Sequence, residues 1–361
     1  MLKTALNKIE LDTVENQNEL KISQRQVVEN SSTQKNIESW LHWSRALNLK
    51  NGYSENELQQ YVISASEQWS LSTLKSNPNE IDEFANNIFS AEDPGARVLD
   101  QVWVNIVEAF LPQNSTPAKQ WKPVYHALFS KKLLEPYLDE NDHESIRILL
   151  GVYLSCGLSQ QEYVTLIQDL RELIERELAL KTFEWSMDIC EVIAINRTPD
   201  EQSKNDFISY FLSIGCTKVP PHRLNPAQRY LVKKLCLDIR QEPLFTPYRE
   251  IQKGNEGAQI SQPILDLSKK RIGIYTLTES AGKRSKETLE KLFPGVRVEL
   301  NSDHGGTDRL KALAKNSDIF VFAAKSSTHA AFYFIKNHRD EAILNPTGKG
   351  SASIISAIMA L

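Results

Sequence analysis

RIGIYTL (residues 271–277) and DIFVFAA (residues 318–324) are the stretches that decide the fold. Both are nearly continuous apolar runs, as strands covered on both faces must be. VRVEL (296–300) and the short AILN (342–345) complete a set of four strands. Between and after them come segments of helical period, SKETLEKLF (285–293), DRLKALAKN (308–316), AAFYFIKNHR (330–339) and SASIISAIMAL (351–361). Four strands alternating with four helices predict a small Rossmann-like, doubly wound parallel α/β domain over residues 271–361. With strand order 2-1-3-4, the ligand crevice of such a sheet lies between the first and third strands, beyond their carboxyl ends.

Working backwards, residues 251–270 turn polar, with two glycines and a proline, and read as a linker. From 36 to 250 the apolar spacing is near three and four, as in Val98, Val102, Ile106 and Phe110, or Val164, Ile167, Leu170 and Ile174. This is an all-helical body. Asn77-Pro78, Asp93-Pro94-Gly95, Thr198-Pro199, Pro220-Pro221 and Asn225-Pro226 punctuate it, giving about eight to ten helices. Irregular intervals argue against a strict helical-repeat array. Residues 1–35 are rich in Asn, Gln, Glu and Ser and are expected to be a mobile polar arm.

The 361 residues carry a net charge of −4, unevenly divided. Residues 271–361 hold 13 Lys/Arg against 9 Asp/Glu, whereas the rest holds 29 against 37. A basic module on an acidic body points to an anionic partner for the module. Four isolated cysteines without C-x-x-C pairing read as buried thiols rather than metal ligands, and the six tryptophans as packing residues. With no long apolar run and no signal-peptide pattern, the expectation is a cytoplasmic protein without membrane insertion. Nothing in the sequence calls for a cofactor or a metal.

The chemistry-bearing residues gather at the strand ends. TLTESAGKRS, read as the loop after the first strand, offers Thr278, Glu279, Ser280, Lys283 and Arg284; AKSSTHAA after the third offers Lys325, Ser327 and His329. NPTGKGSAS after the fourth places Lys349 and Ser351 beside two glycines at a helix start, where exposed amides favour anions. Thr278, Ser280, Lys283, Arg284, Lys325, Ser327, Lys349 and Ser351 are thus candidate phosphate or nucleic-acid ligands. The Walker A spacing is absent. Glu279 and His329 would face each other across the crevice as a catalytic acid/base pair, if the protein is an enzyme. Each feature also has a plain structural reading: Ser285, Thr307 and Ser327 or Thr328 as helix caps, Gly348 and Gly350 as residues of a tight turn, and the lysines as solvated charge, while Asp303-His304-Gly305-Gly306 offers too few ligands for a metal.

The run TLTESAGKR, the KSSTHAA loop and the closing GKGSAS resemble a terminal α/β module of accessory proteins from prokaryotic antiphage and DNA-defence loci. The resemblance covers roughly a quarter of the chain and implies membership in a multi-component antiphage (antiviral) or DNA-defence system that acts on or senses nucleic acid. Three readings stay open: an accessory scaffold that binds nucleic acid or phosphate and docks other subunits through its helical body, a nucleotide- or nucleic-acid-processing enzyme, and a purely structural helical scaffold.

Overall fold

The computed structural model describes residues 37–48, 52–69, 71, 74, 77–111, 119–249, 265–303, 305–323, 329–346, 348 and 350–361. The expected polar arm and residues 251–264 of the expected linker lie outside them.

Eleven α-helices among the described residues precede the sheet. They are α1 (Trp40–Ala46), α2 (Glu55–Ala65), α3 (Pro78–Phe89), α4 (Gly95–Gln101), α5 (Trp103–Phe110), α6 (Lys122–Leu133), α7 (Glu140–Ser155), α8 (Gln160–Glu177), α9 (Phe183–Ile195), α10 (Glu201–Lys218) and α11 (Pro226–Asp238). The breakers seen in the sequence mark helix starts. Asn77 caps α3 with Pro78 in its first turn, and Asn225 caps α11 with Pro226 placed likewise, where a missing N–H costs nothing. Asp139 and Ser159 begin α7 and α8 with reciprocal capping boxes. The count exceeds the expected eight to ten partly because Val98, Val102, Ile106 and Phe110 belong to two helices, not one. The chain leaves helical geometry at Val102 (φ −110°, ψ 15°), which ends α4 and caps α5. All four side chains are buried nonetheless, so spacing alone misses the break.

Aromatic residues dominate the first half of the core. Trp40 meets Trp43, Trp69, Phe84 and Phe110 with ring centroids 5.1–6.4 Å apart, each edge to face. Trp43 donates its indole N–H to Leu58 O at 3.0 Å, so that buried polar group is satisfied. Cys156, Cys190 and Cys236 are buried free thiols and Cys216 is half-buried.

Residues 271–361 form β1 (Arg271–Thr276), α12 (Glu279–Leu292), β2 (Arg297–Asn301), α13 (Asp308–Asn316), β3 (Ile319–Ala323), α14 (His329–Lys336), β4 (Ile343–Leu344) and α15 (Ser351–Met359). All strand pairs are parallel, in the order β2-β1-β3-β4, with Ile272 opposite Val298 on one side and Ile319 on the other. The period of two splits each inner strand. Tyr275, Phe320 and Phe322 join Leu310, Leu313 and Ile335 on the side of α13 and α14. Ile272, Ile274, Val321 and Ala323 face the other way, with α12 and α15, and there the core is continuous with that of the helical body. α15 packs on α9 and α11 as well as on β3, and α11 also touches α12. Among the described residues no helix is long and apolar enough to cross a membrane.

One expected loop is helix. The link after β1 is only Leu277 and Thr278, and α12 starts at Glu279, six residues before the helical period read from the sequence. The glycine that suggested a loop, Gly282, is buried inside α12, where an added Cβ would stand 2.9 Å from Thr276 Cγ2. Gly282 lets helix and strand approach closely rather than making a turn.

Candidate functional site

This correction moves two of the expected ligands. Lys283 lies on the exposed face of α12 and pairs with Glu279 at 3.4 Å, both groups about two-thirds exposed. Arg284, the next residue, points to the body instead. Thr278 is the N-cap of α12 without a side-chain capping bond, and its N–H donates to Thr276 Oγ1 at 3.1 Å. Ser280 is half-buried. Ser285, read as a cap, lies buried in mid-helix and donates to Ala281 O at 2.8 Å, whereas Thr307 does cap α13 through Leu310 N–H at 3.1 Å. Lys325, Ser327 and Lys349 lie outside the described residues; His329 opens α14 with its side chain likewise outside them. His304 is also outside them, and the neighbouring Asp303 carboxylate is occupied by Asn301 Nδ2 at 2.8 Å and Thr307 Oγ1 at 2.6 Å.

The helix start at Ser351 is where the polar groups converge. Gly350 is the N-cap of α15 and offers no side chain, so the first amides need acceptors from elsewhere. They come from α9. Asp188 accepts from Ala352 N–H at 3.0 Å with one oxygen and from the Ser353 hydroxyl at 2.8 Å with the other. Glu191 accepts from Ser351 N–H at 3.2 Å and from the Ser351 hydroxyl. The two acids are three apart in α9, which places them on one face of that helix.

Two guanidiniums offset the acids. Arg284 Nε lies 3.3 Å from Glu191 Oε1 while its NH2 lies 3.0 Å from Asp238 Oδ2, with the Arg284 side chain only 12% exposed. Arg147, also buried, holds Glu144 through two bonds of 3.0 and 2.9 Å, and its charge acts on Asp188. Arg284 and Ser351 therefore converge on one anion, and that anion is Glu191. Burial, and after it the Glu191 carboxylate, push Asp188 up to about 8 against the opposing pull of Arg147, Ser353 and the Ala352 amide. Gly350 is a requirement of the geometry, since a Cβ there would stand 1.9 Å from the Asp188 carboxyl carbon.

The matching family model covers both parts of this arrangement, residues 2–357, and is described as DpdD-like. The chain belongs to the DpdD-like family. Membership associates it with DNA-modification and defence gene clusters, so the likeness to defence accessory proteins extends over nearly the whole chain. No curated protein and no solved structure shows a significant match.

In this DpdD-like chain the anion-ready end of α15 is filled from within. A carboxylate at a helix N-terminus does what a phosphate would do there, accepting amide hydrogens and facing the positive end of the dipole. Sequence reading missed Asp188, Glu191, Arg147, Glu144 and Asp238 because they belong to helices far from the strands along the chain. A signal existed: in FEWSMDICEVIAI (183–195), past Glu184 in the first turn, Asp188 and Glu191 stand among mostly apolar residues, and buried acids require partners. Which partners could not be read from it.

Proposed function

We propose that this DpdD-like chain is a non-catalytic accessory and scaffold subunit of a prokaryotic multi-component defence system. The helical body holds partner proteins, and the strand-end edge of the α/β domain meets nucleic-acid phosphates. The proposed division is body 36–250, linker 251–270 and α/β domain 271–361.

One observation carries the scaffold reading: the only side chains that reach the first amides of α15 among the described residues are Asp188 and Glu191 from the body. A nucleotide at that position would have to displace both acids, leaving two carboxyl groups without their bonds in a buried place. The end of the last helix thus serves to fix the α/β domain on the body. The phosphate-binding part rests on the basic excess of residues 271–361 and on exposed Lys283, with Lys325 and Lys349 completing the cationic set in this reading.

The test is to isolate the tagged full chain from its native host, identify what copurifies, and titrate the purified protein with DNA across salt. Stoichiometric protein partners, and DNA binding that weakens steeply with salt and little with sequence, are expected. Turnover of a nucleotide or nucleic acid that Glu279→Gln or His329→Ala abolishes would replace this reading with the enzyme. Partners without DNA binding at any salt would reduce it to a purely structural scaffold.

A further inference from the structure

A second concentration of ionisable groups lies in the helical body, unrelated to the sheet. A cleft of 680 Å³ and an adjoining chamber of 160 Å³ meet at His126, Tyr153 and Glu162, where α6, α7 and α8 come together. The larger volume is that of a small-molecule site. Lys122 and His126 stand one turn apart on α6; Glu162 and Asp169 stand two turns apart on α8.

The side chains divide into those already satisfied and those left open. Lys122 is bound to Glu162 at 2.7 Å, and Glu162 also receives Ser159 N–H, so this pair is fixed. Tyr153 is 3% exposed and lines both chambers, yet its hydroxyl has no hydrogen-bond partner among the described residues. That hydroxyl opens onto the chambers and is free to donate to a bound acceptor. Burial keeps it protonated and able to donate. Asp169, half-buried in the smaller chamber, likewise has no hydrogen-bond or ion-pair partner among the described residues and is an open acceptor. The exposed His126 ring lies 5.4 Å from the Tyr153 ring. Lys119, exposed at the rim, has no ion-pair partner among the described residues.

A ligand that satisfies all of these has a flat ring beside His126 and Tyr153, an edge carrying both an acceptor and a donor, and an anionic group for Lys119. We infer that the cleft lined by α3, α6, α7 and α8 binds a nucleoside monophosphate, its base on the exposed His126 ring and its phosphate at Lys119. The base edge accepts from Tyr153 and donates to Asp169.

Calorimetric titration of the full chain with AMP, GMP, CMP and UMP, with inorganic phosphate and the free nucleosides in parallel, tests this. At least one nucleotide is expected to bind, more tightly than either phosphate or its own nucleoside. Lys119→Ala should weaken it by about ten- to a hundredfold and Tyr153→Phe by about three- to tenfold. Lys315→Ala, an exposed charge on α13, should leave it unchanged. No binding of any of the four at millimolar concentration overturns the inference. So does phosphate binding as tightly as the nucleotides, or affinity undiminished in both variants. Because Lys119 is at the surface, its variant is readable even if Tyr153→Phe fails to fold.

Discussion

Asp188 and Ser353 are 165 residues apart in the chain, and the Ser353 hydroxyl donates to the Asp188 carboxylate at 2.8 Å. With the Ala352 amide on its other oxygen, Asp188 caps a helix that belongs to a different part of the fold. Packing between α9 and α15 and this capping act at the same place, so losing one exposes the other.

Removing the cap should therefore cost more than an ordinary surface cap. Asp188→Ala leaves an amide and a hydroxyl unsatisfied in a buried site, and is expected to destabilise the chain by about 2–4 kcal/mol. Asp188→Asn keeps an acceptor and should lose less. Urea denaturation of both variants checks the order.

The pH dependence follows from the same residue. Its folded-state pKa, about 8, lies above the usual carboxylate value of 3.8, so the folded state binds the proton more tightly than the unfolded one. The stability this contributes is fully present below about pH 4 and is lost as pH rises through about 8, with a limit of about 1.4 kcal/mol per pH unit. Glu135, raised to about 7 first by burial, adds with the same sign. Urea midpoints measured at several pH values between 5 and 8 should fall for the natural chain and fall less for Asp188→Asn.

Glycine substitutions separate the contact from general loop tolerance. Gly350→Ala puts a methyl 1.9–2.2 Å from the Asp188 carboxylate and is expected to destabilise by about 2–4 kcal/mol. At Gly305 an added Cβ meets nothing within 4 Å, and its alanine variant should be close to neutral. Thermal unfolding of the two proteins gives the comparison.

Adjacent cations on α12 should behave oppositely. Lys283→Ala is expected to leave stability unchanged while weakening DNA binding evenly across sequences and lowering the salt slope by about one. Arg284→Ala removes the partner of Glu191 and Asp238 and should destabilise by roughly 1–3 kcal/mol. Denaturation and DNA titration on the same preparations distinguish the two effects, and equal effects on DNA from both would place Arg284 at the contact.

What the sequence by itself determined is what depends on neighbours along the chain. Apolar runs at 271–277 and 318–324, alternating with helical period, specify a parallel sheet, and the order 2-1-3-4 follows the one considered for that pattern. Asn77-Pro78 and Asn225-Pro226 announce helix starts because caps and prolines act within one turn. Gly282 shows the limit: a glycine that makes a turn and one that admits a close strand look alike until the strand is in place. Only the tertiary structure decided what meets the end of α15. Exposed amides specify that an anion is wanted, not which one, and Asp188 and Glu191 reach them only once α9, α11 and α15 have packed. The same holds for Lys119, His126, Tyr153 and Asp169, which line a cleft and its adjoining chamber only because the elements that carry them pack together. Local preference is set by the covalent chain, whereas the partner of a buried charge is set by burial that no short stretch contains.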